Sequence, residues 1–310
     1  MNLAIVIPCY NEEEVLSYTH EKMTQLLKSL IDKNLISSHS KIYFVDDGSR
    51  DKTWEIIENF SNHSPFVSGI KLSRNCGHQN ALMAGIFSVD FDVCITIDAD
   101  LQDDINVIEE MVKKYHEGYN IVYGVRKKRD SDTKFKKLSA EFFYTLMQKM
   151  GVDVIHNHAD FRLMDKKSVE ALKEFKEVNL FLRGMIPLIG YKSCLVYYDR
   201  IERFAGESKY PLKKMLNFAW DGVTSFSVLP LRFITILGFL IFLLSCIMGV
   251  WAIAIKLFTN DAIAGWASTV IPIYFIGGIQ LFALGIIGEY IGKIYKETKQ
   301  RPRYFVEKIV

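Results

Sequence analysis

Two long stretches without a charged side chain, both near the carboxyl end, constrain this 310-residue chain more than any other feature. No charged residue lies between Arg232 and Lys256, and none lies within residues 262–288. Each stretch exceeds the roughly 20 apolar residues that a helix needs to cross a bilayer. A pair of buried core helices is the alternative, but core helices seldom run so long without a polar face. We therefore predict two transmembrane helices within residues 230–293.

Basic residues flank this predicted hairpin on its outer sides. The loop between the spans, roughly FTNDAIAGWA, carries Asp261 and no Lys or Arg. Lysine and arginine accumulate on the cytoplasmic side of membrane helices, so we expect residues 1–210 and both termini to be cytoplasmic. The basic residues that support this topology are Lys213, Lys214 and Arg232 before the first span, and Lys293, Lys296, Lys299, Arg301 and Arg303 after the second.

The segments on either side of the hairpin have patterns of their own. Residues 211–229 repeat apolar side chains at helical spacing, including Leu212, Met215 and Trp220. This pattern predicts an amphipathic helix at the bilayer surface, with a helix packed on the soluble domain as the alternative. The tail, residues 294–310, ends in the strand-like RPRYFVEKIV, which could pair with the soluble domain or with a neighbouring chain.

Composition narrows the class of protein. The formal net charge is +2, which gives no argument for a nucleic-acid partner, and we expect none. The five cysteines are scattered, odd in number and without a CxxC pair. They therefore indicate neither a disulfide framework nor a zinc site, and they suit a reducing compartment.

The first two hundred residues alternate between strand-like and helix-like patterns. The β-rich runs are LAIVIP, KIYFVDD, VSGIKL, FDVCITID and YNIVYGV. Between them, apolar residues recur at helical spacing, for example Leu16, Met23, Leu27 and Leu30. Such alternation predicts an α/β fold in which helices cover both faces of a mostly parallel sheet. Ligands of such sheets bind at the carboxyl ends of the strands.

Acidic clusters stand at three of these strand ends. NEEE follows the first strand, DDGS the second and DADLQDD the fourth. Four aspartates within seven positions repel one another unless a cation lies among them. Asp98 and Asp100, with Gln102 as a further oxygen donor, suit a hard cation such as Mg²⁺ or Mn²⁺. Magnesium held in this way usually bridges substrate phosphates, which predicts a nucleotide-linked substrate.

Each cluster also has a simpler interpretation. Asn11 and Glu14 have the spacing of a capping box at the start of a helix. The DDGS sequence suits a turn followed by a helix cap. The later aspartates of DADLQDD could cap a helix as well, but this leaves Asp98 and Asp100 unexplained.

Six motifs occur in a fixed order ahead of the hairpin: IVIPCYNEEE, FVDDGSRDKT, SRNCGHQNALMAGI, DADLQDD, DFRLMD and RFAGESKYP. Together they resemble the family 2 glycosyltransferases, whose catalytic domain has the GT-A fold, a Rossmann-like and mostly parallel sheet. Within that family the chain resembles the bacterial bactoprenol (undecaprenyl-phosphate) glucosyltransferases, which are related to dolichyl-phosphate mannose synthase. The likeness covers nearly the whole chain. It implies a GT-A domain and a two-helix transmembrane hairpin in a bacterial plasma membrane.

The resemblance assigns donor-side roles to residues at the strand ends. Asp98 and Asp100 match the metal-binding DxD motif, and with Gln102 they would hold Mg²⁺ or Mn²⁺ on the donor diphosphate. Such an ion acts as a Lewis acid and neutralises charge on the leaving nucleoside diphosphate. The residues that match the nucleotide-binding motifs are Pro8, Tyr10, Asn11, Glu12, Asp46, Asp47 and Asp98.

The acceptor that the resemblance implies is a polyprenyl phosphate. This phosphate is already anionic at neutral pH, since its second pKa is near about 6, so it needs positioning more than deprotonation. The segments YGVRKKR and RIERFAGESKYP supply basic side chains for that purpose. The predicted acceptor-phosphate ligands are Arg126, Arg200, Arg203, Ser208, Lys209 and Tyr210.

Asp160, in HADFRLMD, matches an acidic position of the family and joins Asp98 and Asp100 in the predicted catalytic set. We expect it near the acceptor phosphate or the sugar hydroxyls, as a general base or a positioning group, with Arg162 anchoring its loop. His156 and His158 have no third metal ligand in view, and we predict that they are polar surface residues.

These expectations define a metal-dependent, inverting transfer of a hexose to undecaprenyl phosphate, for cell-surface glycan modification. UDP-glucose is the expected donor, with UDP-N-acetylglucosamine or GDP-mannose as alternatives, and oligomers are expected from the family. A processive polysaccharide synthase is disfavoured, because the sequence has neither a QxxRW motif nor further membrane spans. A non-catalytic, membrane-anchored nucleotide-sugar binder is disfavoured, because no acidic or phosphate-binding residue of the pattern is missing.

Overall fold

An eight-stranded mixed sheet lies at the centre of the computed structural model, which describes residues 1–127, 155, 158–199, 229–258 and 266–310. Its strands are β1 (Leu3–Cys9), β2 (Lys41–Asp46), β3 (Val67–Leu72), β4 (Val93–Thr96), β5 (Ile121–Arg126), β6 (His158–Asp165), β7 (Ser193–Tyr198) and β8 (Val306–Ile309). Across the sheet they follow the order β7-β5-β6-β4-β1-β2-β3-β8. The strands β4, β1, β2 and β3 pair in parallel, and so do β5 and β7. All five predicted strands form, which confirms the expected mostly parallel α/β architecture.

Strand β6 is the element that changes the geometry of the site. It inserts antiparallel between β4 and β5, with Thr96 of β4 opposite Arg162. The first residues of β6 therefore lie at the edge of the sheet where β4 ends. Sequence patterns do not predict this strand, because charged residues interrupt its apolar side chains even though Arg162 is buried.

Helices cover both faces of the sheet, as a doubly covered parallel sheet requires. One hydrophobic cluster contains side chains of α1, α2 and α4 together with Ile5 and Ile7, and a second contains side chains of α3, α5 and α6 together with Ala4 and Val6. The helix bounds are α1 (Leu16–Asp32), α2 (Thr53–His63), α3 (His78–Ser88), α4 (Val107–His116), α5 (Lys166–Lys173) and α6 (Leu182–Leu188).

The carboxyl-terminal tail closes one edge of the sheet. Strand β8 pairs antiparallel with β3, and Gly69 exchanges two backbone hydrogen bonds of 2.9 Å with Val310. The Ser68 hydroxyl donates to the Val310 carbonyl at 2.6 Å. Of the two pairings that the sequence left open for the tail, the structure shows the one with the soluble domain of the same chain.

A second compact unit, Leu216–Lys299, contains two long helices, α7 (Leu229–Phe258) and α8 (Trp266–Lys299). Among the described residues, Phe275–Lys299 is long and apolar enough to cross a membrane, and Pro230–Ile241 is a shorter apolar segment. Large apolar side chains on both helices are exposed, which is costly in water. The two-span hairpin remains a prediction. Of the predicted amphipathic helix, residues 211–229, the part up to residue 228 lies outside the residues that the structure describes.

Candidate active site

The loops that follow β1 and β2 are linked to each other by side-chain hydrogen bonds. Asn11 accepts from the Arg50 backbone N–H at 2.9 Å, and its own N–H donates to the Ser49 hydroxyl at 3.0 Å. Glu13 accepts from the Lys52 N–H at 3.0 Å. Helix α1 begins only at Leu16, without a side-chain cap. The capping-box interpretation of NEEE is therefore wrong, because these residues bind the neighbouring loop instead.

Asp47 braces the loop that leads into α3. Its two carboxylate oxygens accept from the Cys76 N–H at 2.6 Å and the Gly77 N–H at 2.9 Å. Burial raises the pKa of Asp47, while these two backbone donors oppose the rise. Asp47 thus fixes the position of the residue after Gly77, which is His78.

The DDGS sequence forms the turn that its composition suggests. Asp46 is fully buried, and its Oδ1 accepts from the Ser49 N–H at 3.1 Å. Gly48 has a φ of +66°, and a Cβ atom there would lie 2.5 Å from the backbone of both Arg74 and Asn75. Only glycine fits this point, where two loops of the site touch.

A hydrogen bond from α1 fixes the backbone of the DADLQDD segment. The buried Thr19 hydroxyl lies 2.6 Å from the Ala99 carbonyl, between the two aspartates of the DxD motif. Leu101 has a φ of +46°, an uncommon left-handed conformation for a leucine, and such strained residues concentrate at functional sites. The chain reverses here, so that the Gln102 N–H donates to Asp100 Oδ1 at 3.3 Å.

Strand β6 brings Asp160 next to this segment. Strand β6 is antiparallel to β4, and their pairing ends with Thr96 opposite Arg162, so Asp98 and Asp160 both lie just beyond this last pair. The Thr96 hydroxyl donates to the Asp160 carbonyl and ties the two strand ends together. The two acidic residues, 62 positions apart in the sequence, therefore share one edge of the sheet.

Three cationic side chains surround the Asp160 carboxylate. Arg162 donates to Oδ1, while Arg183 Nη2 donates to Oδ2 at 3.3 Å. His78 Nε2 lies 3.5 Å from Asp160 Oδ2 and 3.5 Å from Asp98 Oδ1. Burial alone would raise the pKa of Asp160, but Arg183, His78 and Arg162 outweigh it and hold the pKa well below its usual range. Asp160 is therefore an ionised carboxylate at neutral pH.

His78 links the two acidic residues as a cation. Burial alone would lower its pKa, but the hydrogen bond to Asp160 and the charges of Asp98 and Asp160 raise the pKa to about 9. For Asp98, burial raises the pKa, and the His78 charge opposes that rise. The imidazolium thus compensates part of the negative charge that these carboxylates share.

Arg126, a predicted acceptor ligand, is held by a buried carboxylate. Asp103, only 2% exposed, accepts from Arg126 Nε at 3.0 Å and Nη2 at 2.8 Å, and from the Tyr198 hydroxyl at 2.7 Å. Lys127 forms an exposed ion pair with Asp199 at 3.3 Å. Asp103 therefore orients Arg126 and does not cap a helix, so its role differs from that predicted for Asp98 and Asp100.

Two buried oxygen atoms of the predicted metal set accept no hydrogen bond from the residues that the structure describes, although His78 Nε2 lies 3.5 Å from one of them. They are Asp98 Oδ1 and Gln102 Oε1. A buried acceptor without a partner is costly, so such atoms call for a ligand. Carboxylate and amide oxygens are what Mg²⁺ and Mn²⁺ prefer, so these residues fit the predicted ion. Within the described ranges no group of three or more His, Cys, Asp or Glu side chains is arranged to bind a metal alone.

Several predicted residues lie outside the described part of the chain. These are Arg200, Arg203, Ser208, Lys209, Tyr210 and His156. His158 is described and contradicts its prediction, because it is only 3% exposed and packs edge-on against Tyr123. It begins β6, a strand covered on both sides by neighbours, and burial lowers its pKa well below the usual value.

His78 and Arg183 are site residues that sequence reasoning missed. His78 belongs to the motif SRNCGHQNALMAGI, which contributed to the family resemblance, but nothing in the motif indicated what His78 does. Arg183 lies at the start of α6, and no local pattern distinguishes it from other basic residues. Its neighbour Leu182 is tied to α3 by an N–H that donates to Gln79 Oε1 at 2.9 Å.

Acidic strand ends around a half-buried DxD motif are also found in a known family. The model of "Glycosyl transferase family 2" matches residues 4–173, which include nearly all of β1, the strands β2 to β6, and the acidic residues Asp46, Asp47, Asp98, Asp100, Asp103 and Asp160. The chain belongs to glycosyl transferase family 2. Its activity is therefore that of a glycosyltransferase, and its sheet is the GT-A-like sheet that the motifs implied.

Curated relatives match over almost the whole length. The chain is 55% identical over 307 residues to "Uncharacterized glycosyltransferase YkoT" of Bacillus subtilis (strain 168), covering 98% of this chain and 91% of the relative. It is 37% identical over 310 residues to "Prophage bactoprenol glucosyl transferase homolog" of Escherichia coli (strain K12), covering 100% and 99%. It is 37% identical over 308 residues to "Bactoprenol glucosyl transferase" of Shigella phage SfX, covering 99% of each.

Solved structures resemble the chain more distantly. One is glucosyl-3-phosphoglycerate synthase from Mycobacterium tuberculosis in complex with Mn²⁺, uridine diphosphate and glucosyl-3-phosphoglycerate, with a TM-score of 0.47 and 14% identity. The match covers 72% of this chain and 77% of that one.

Proposed function

We propose that this glycosyltransferase transfers a hexose, with glucose from UDP-glucose as the first candidate, to undecaprenyl phosphate with inversion at the sugar C1. The observation that carries the proposal is that Asp98 Oδ1 and Gln102 Oε1 are buried and accept no hydrogen bond from the described residues, beside the cation-bound Asp160. The relatives that are named bactoprenol glucosyl transferases support the choice of lipid and sugar.

The donor nucleotide would bind at the carboxyl ends of β1 and β2. Tyr10 is 37% exposed directly after β1, where an aromatic ring can contact a base. Asp46 Oδ2 is buried without a donor among the described residues and is available to a ribose or base N–H or O–H group. Pro8, Asn11 and Glu12 shape the same edge. Asp47, in contrast, would contribute through the backbone that it braces.

Mg²⁺ or Mn²⁺ would be held by Asp98, Asp100 and Gln102, where it would neutralise charge on the departing nucleoside diphosphate. The chain's own part is to keep these oxygens in place. Thr19 fixes the backbone between the two aspartates, and His78 limits the repulsion between Asp98 and Asp160. Both effects reduce the reorganisation that the site would need when the donor arrives.

In the transfer, an oxygen of the lipid phosphate attacks C1 of the sugar. The bond between C1 and the diphosphate oxygen breaks, and its electron pair leaves with the nucleoside diphosphate. No proton needs to be removed from a phosphate that is already ionised, and an efficient base has a pKa near the working pH. Because the pKa of Asp160 is held well below its usual value, Asp160 acts as a positioning group in this proposal and not as a base.

The acceptor phosphate would be held by Arg126 together with Arg200, Arg203, Ser208, Lys209 and Tyr210. Asp103 and Tyr198 fix Arg126, so its remaining N–H groups have a defined direction. The lipid substrate requires a membrane, and the apolar segment Phe275–Lys299 supports membrane attachment. We propose two spans in a bacterial plasma membrane with both termini cytoplasmic, and assembly into a homo-oligomer.

The test is product formation by the full-length chain in detergent. The protein is incubated with undecaprenyl phosphate, Mg²⁺ and one donor at a time, namely UDP-glucose, UDP-N-acetylglucosamine or GDP-mannose, and the lipids are identified by mass. We expect a lipid-monophosphate hexose from UDP-glucose, with the β configuration by NMR. Asp98→Asn should abolish it, whereas Asp90→Asn, which alters an exposed carboxylate paired with Lys166, should not. A lipid-linked sugar from none of the donors contradicts the proposal, and a protein that binds UDP without turnover would be a non-catalytic binder.

A further inference from the structure

The two arginines that hold Asp160 differ in what else they can reach. Arg162 is 1% exposed and binds Asp160 Oδ1, so it can contact no substrate. Arg183 binds Asp160 Oδ2, but a third of its side chain is exposed. The carboxylate is thus anchored from inside the sheet by one arginine and presents a second arginine at the surface.

The position of Arg183 is fixed from two directions. The backbone of the preceding residue, Leu182, is tied to the first turn of α3 by its hydrogen bond to Gln79. The Arg183 guanidinium is tied to the edge of β4 and β6 through Asp160. A guanidinium presents its N–H donors in a planar fork whose geometry matches a phosphate. Such a preorganised arginine loses little entropy when it binds a second anion.

The surroundings of Arg183 indicate what that anion is. His78 lies between Asp160 and Asp98, so Arg183 stands one side chain away from the proposed metal ligand. Both substrates of the proposed reaction bring phosphates to this edge of the sheet, and forked arginine contacts are the usual way to bind phosphate in proteins. A carboxylate that served only as a base would not need two arginines and a histidine around it.

We propose that Arg183 binds a substrate phosphate, and that Asp160, anchored by Arg162, is the residue that positions Arg183. This inference rests on the proposed function. The phosphate is that of the lipid acceptor or that of the donor diphosphate. Loss of Arg183 would raise the KM for the lipid in the first case and the Kd for UDP in the second. Arg183 contacts substrate directly, while Asp160 and Arg162 act through it.

The experiment measures two constants on full-length protein in detergent. The first is the Kd for UDP with Mn²⁺ and without lipid, by calorimetry, and the second is the KM for undecaprenyl phosphate at saturating donor. The variants are Arg183→Gln, Arg183→Lys, Asp160→Asn and the double variant Asp160→Asn with Arg183→Gln. Lys176→Gln removes an exposed positive charge that contacts only the Lys173 carbonyl among the described residues, and serves as the control.

A charge-assisted hydrogen bond contributes about 1.5–3 kcal/mol, which corresponds to a loss of about 10- to 100-fold. We expect Arg183→Gln to raise one constant by this factor, with Arg183→Lys intermediate and the control unchanged. A higher KM for the lipid identifies the acceptor phosphate, and a higher Kd for UDP identifies the donor diphosphate. Asp160→Asn should raise the same constant, and the double variant should be no worse than the more affected single variant, because both remove one interaction.

The inference is overturned if Arg183→Gln changes neither constant by more than about threefold while the protein retains its melting temperature, since the charge would then be only structural. If Arg183→Gln does not fold, Arg183→Lys decides, because a purely structural ion pair would keep wild-type constants with lysine. Failure of the proposed function gives a different result, which is a wild-type protein that forms no glycolipid.

Discussion

Replacing Asp160 by asparagine tests whether the ion pair with Arg162 holds the end of β6 in place. Arg162 is fully buried, and in the described residues its charge is balanced by the Asp160 carboxylate alone. An asparagine keeps the shape but leaves a buried guanidinium without an anion. Breaking a buried ion pair from one side costs about 3–5 kcal/mol. For a domain of this size, each kcal/mol corresponds to about 2–4 °C, so we expect the melting temperature to fall by about 6–20 °C.

The assay is thermal unfolding of the full-length protein in detergent, followed by intrinsic fluorescence. The double variant Asp160→Asn with Arg162→Met removes the charge as well as its partner, and it should recover most of the loss. The reasoning would be refuted if Asp160→Asn lost less than about 1 kcal/mol of the free energy of unfolding. A double variant that is less stable than both single variants would refute it as well.

The pH dependence gives a second check on the same residue. The pKa of Asp160 is lowered in the folded protein, so its stabilising contribution is complete above the unfolded pKa of about 4. The contribution is lost as the pH falls from there through the lower folded pKa. The contribution of Asp160 is therefore complete at pH 6, and the difference in stability between wild type and Asp160→Asn should be smaller at pH 3 than at pH 6.

Four further predictions follow from the same geometry. Because the pKa of His78 is raised to about 9, its contribution to stability is complete below its ordinary pKa of about 6.5 and is lost as the pH rises through 9. Melting temperatures should therefore fall from pH 7 to 10 in wild type and fall less in His78→Gln, and parallel curves would contradict this. Gly48→Ala should lower the free energy of unfolding by about 2–5 kcal/mol, because a left-handed backbone and a 2.5 Å contact are both unfavourable; an unchanged denaturation midpoint would count against it. Tyr198→Phe should cost about 1–3 kcal/mol by removing the hydroxyl that donates to buried Asp103, and it should raise the KM for the lipid if Arg126 binds the acceptor; a melting curve identical to wild type would be the opposing result. Deleting residues 306–310 exposes the edge of β3 and should lower stability by about 2–4 kcal/mol with more aggregation on heating, whereas an equally stable and soluble truncated protein would show that the tail is dispensable.

The sheet could be predicted because its strands are apolar and separated by helical patterns. The three acidic strand ends could be placed on one edge because parallel strands end together, and the order β4-β1-β2 confirms that they are neighbours. The DxD motif is predicted to bind a metal because no helix cap explains Asp98 and Asp100, and this stays a prediction. The buried oxygens of Asp98 and Gln102 agree with that reasoning.

The contacts of Asp160 could not be predicted, because they depend on the direction of β6. A strand that carries Asp160 and Arg162 has no simple alternation, and nothing local indicates that it runs antiparallel to β4. Once it does, Asp160 lies close enough to Asp98 for His78 to contact both, and Arg183 from another helix contacts Asp160 as well. The capping interpretation of NEEE failed for a related reason, since the partners of Asn11 and Glu13 lie about 39 residues away in the next loop.

The most direct test of the account is the location of the divalent ion. Crystals of the full-length protein grown with UDP and Mn²⁺ should show an anomalous difference peak at bonding distance, about 2.0–2.2 Å, from Asp98 and Gln102, with a diphosphate oxygen as a further ligand. Arg183 should lie within reach of a phosphate beside it. An ion bound elsewhere with Asp98 and Gln102 unliganded would contradict the account.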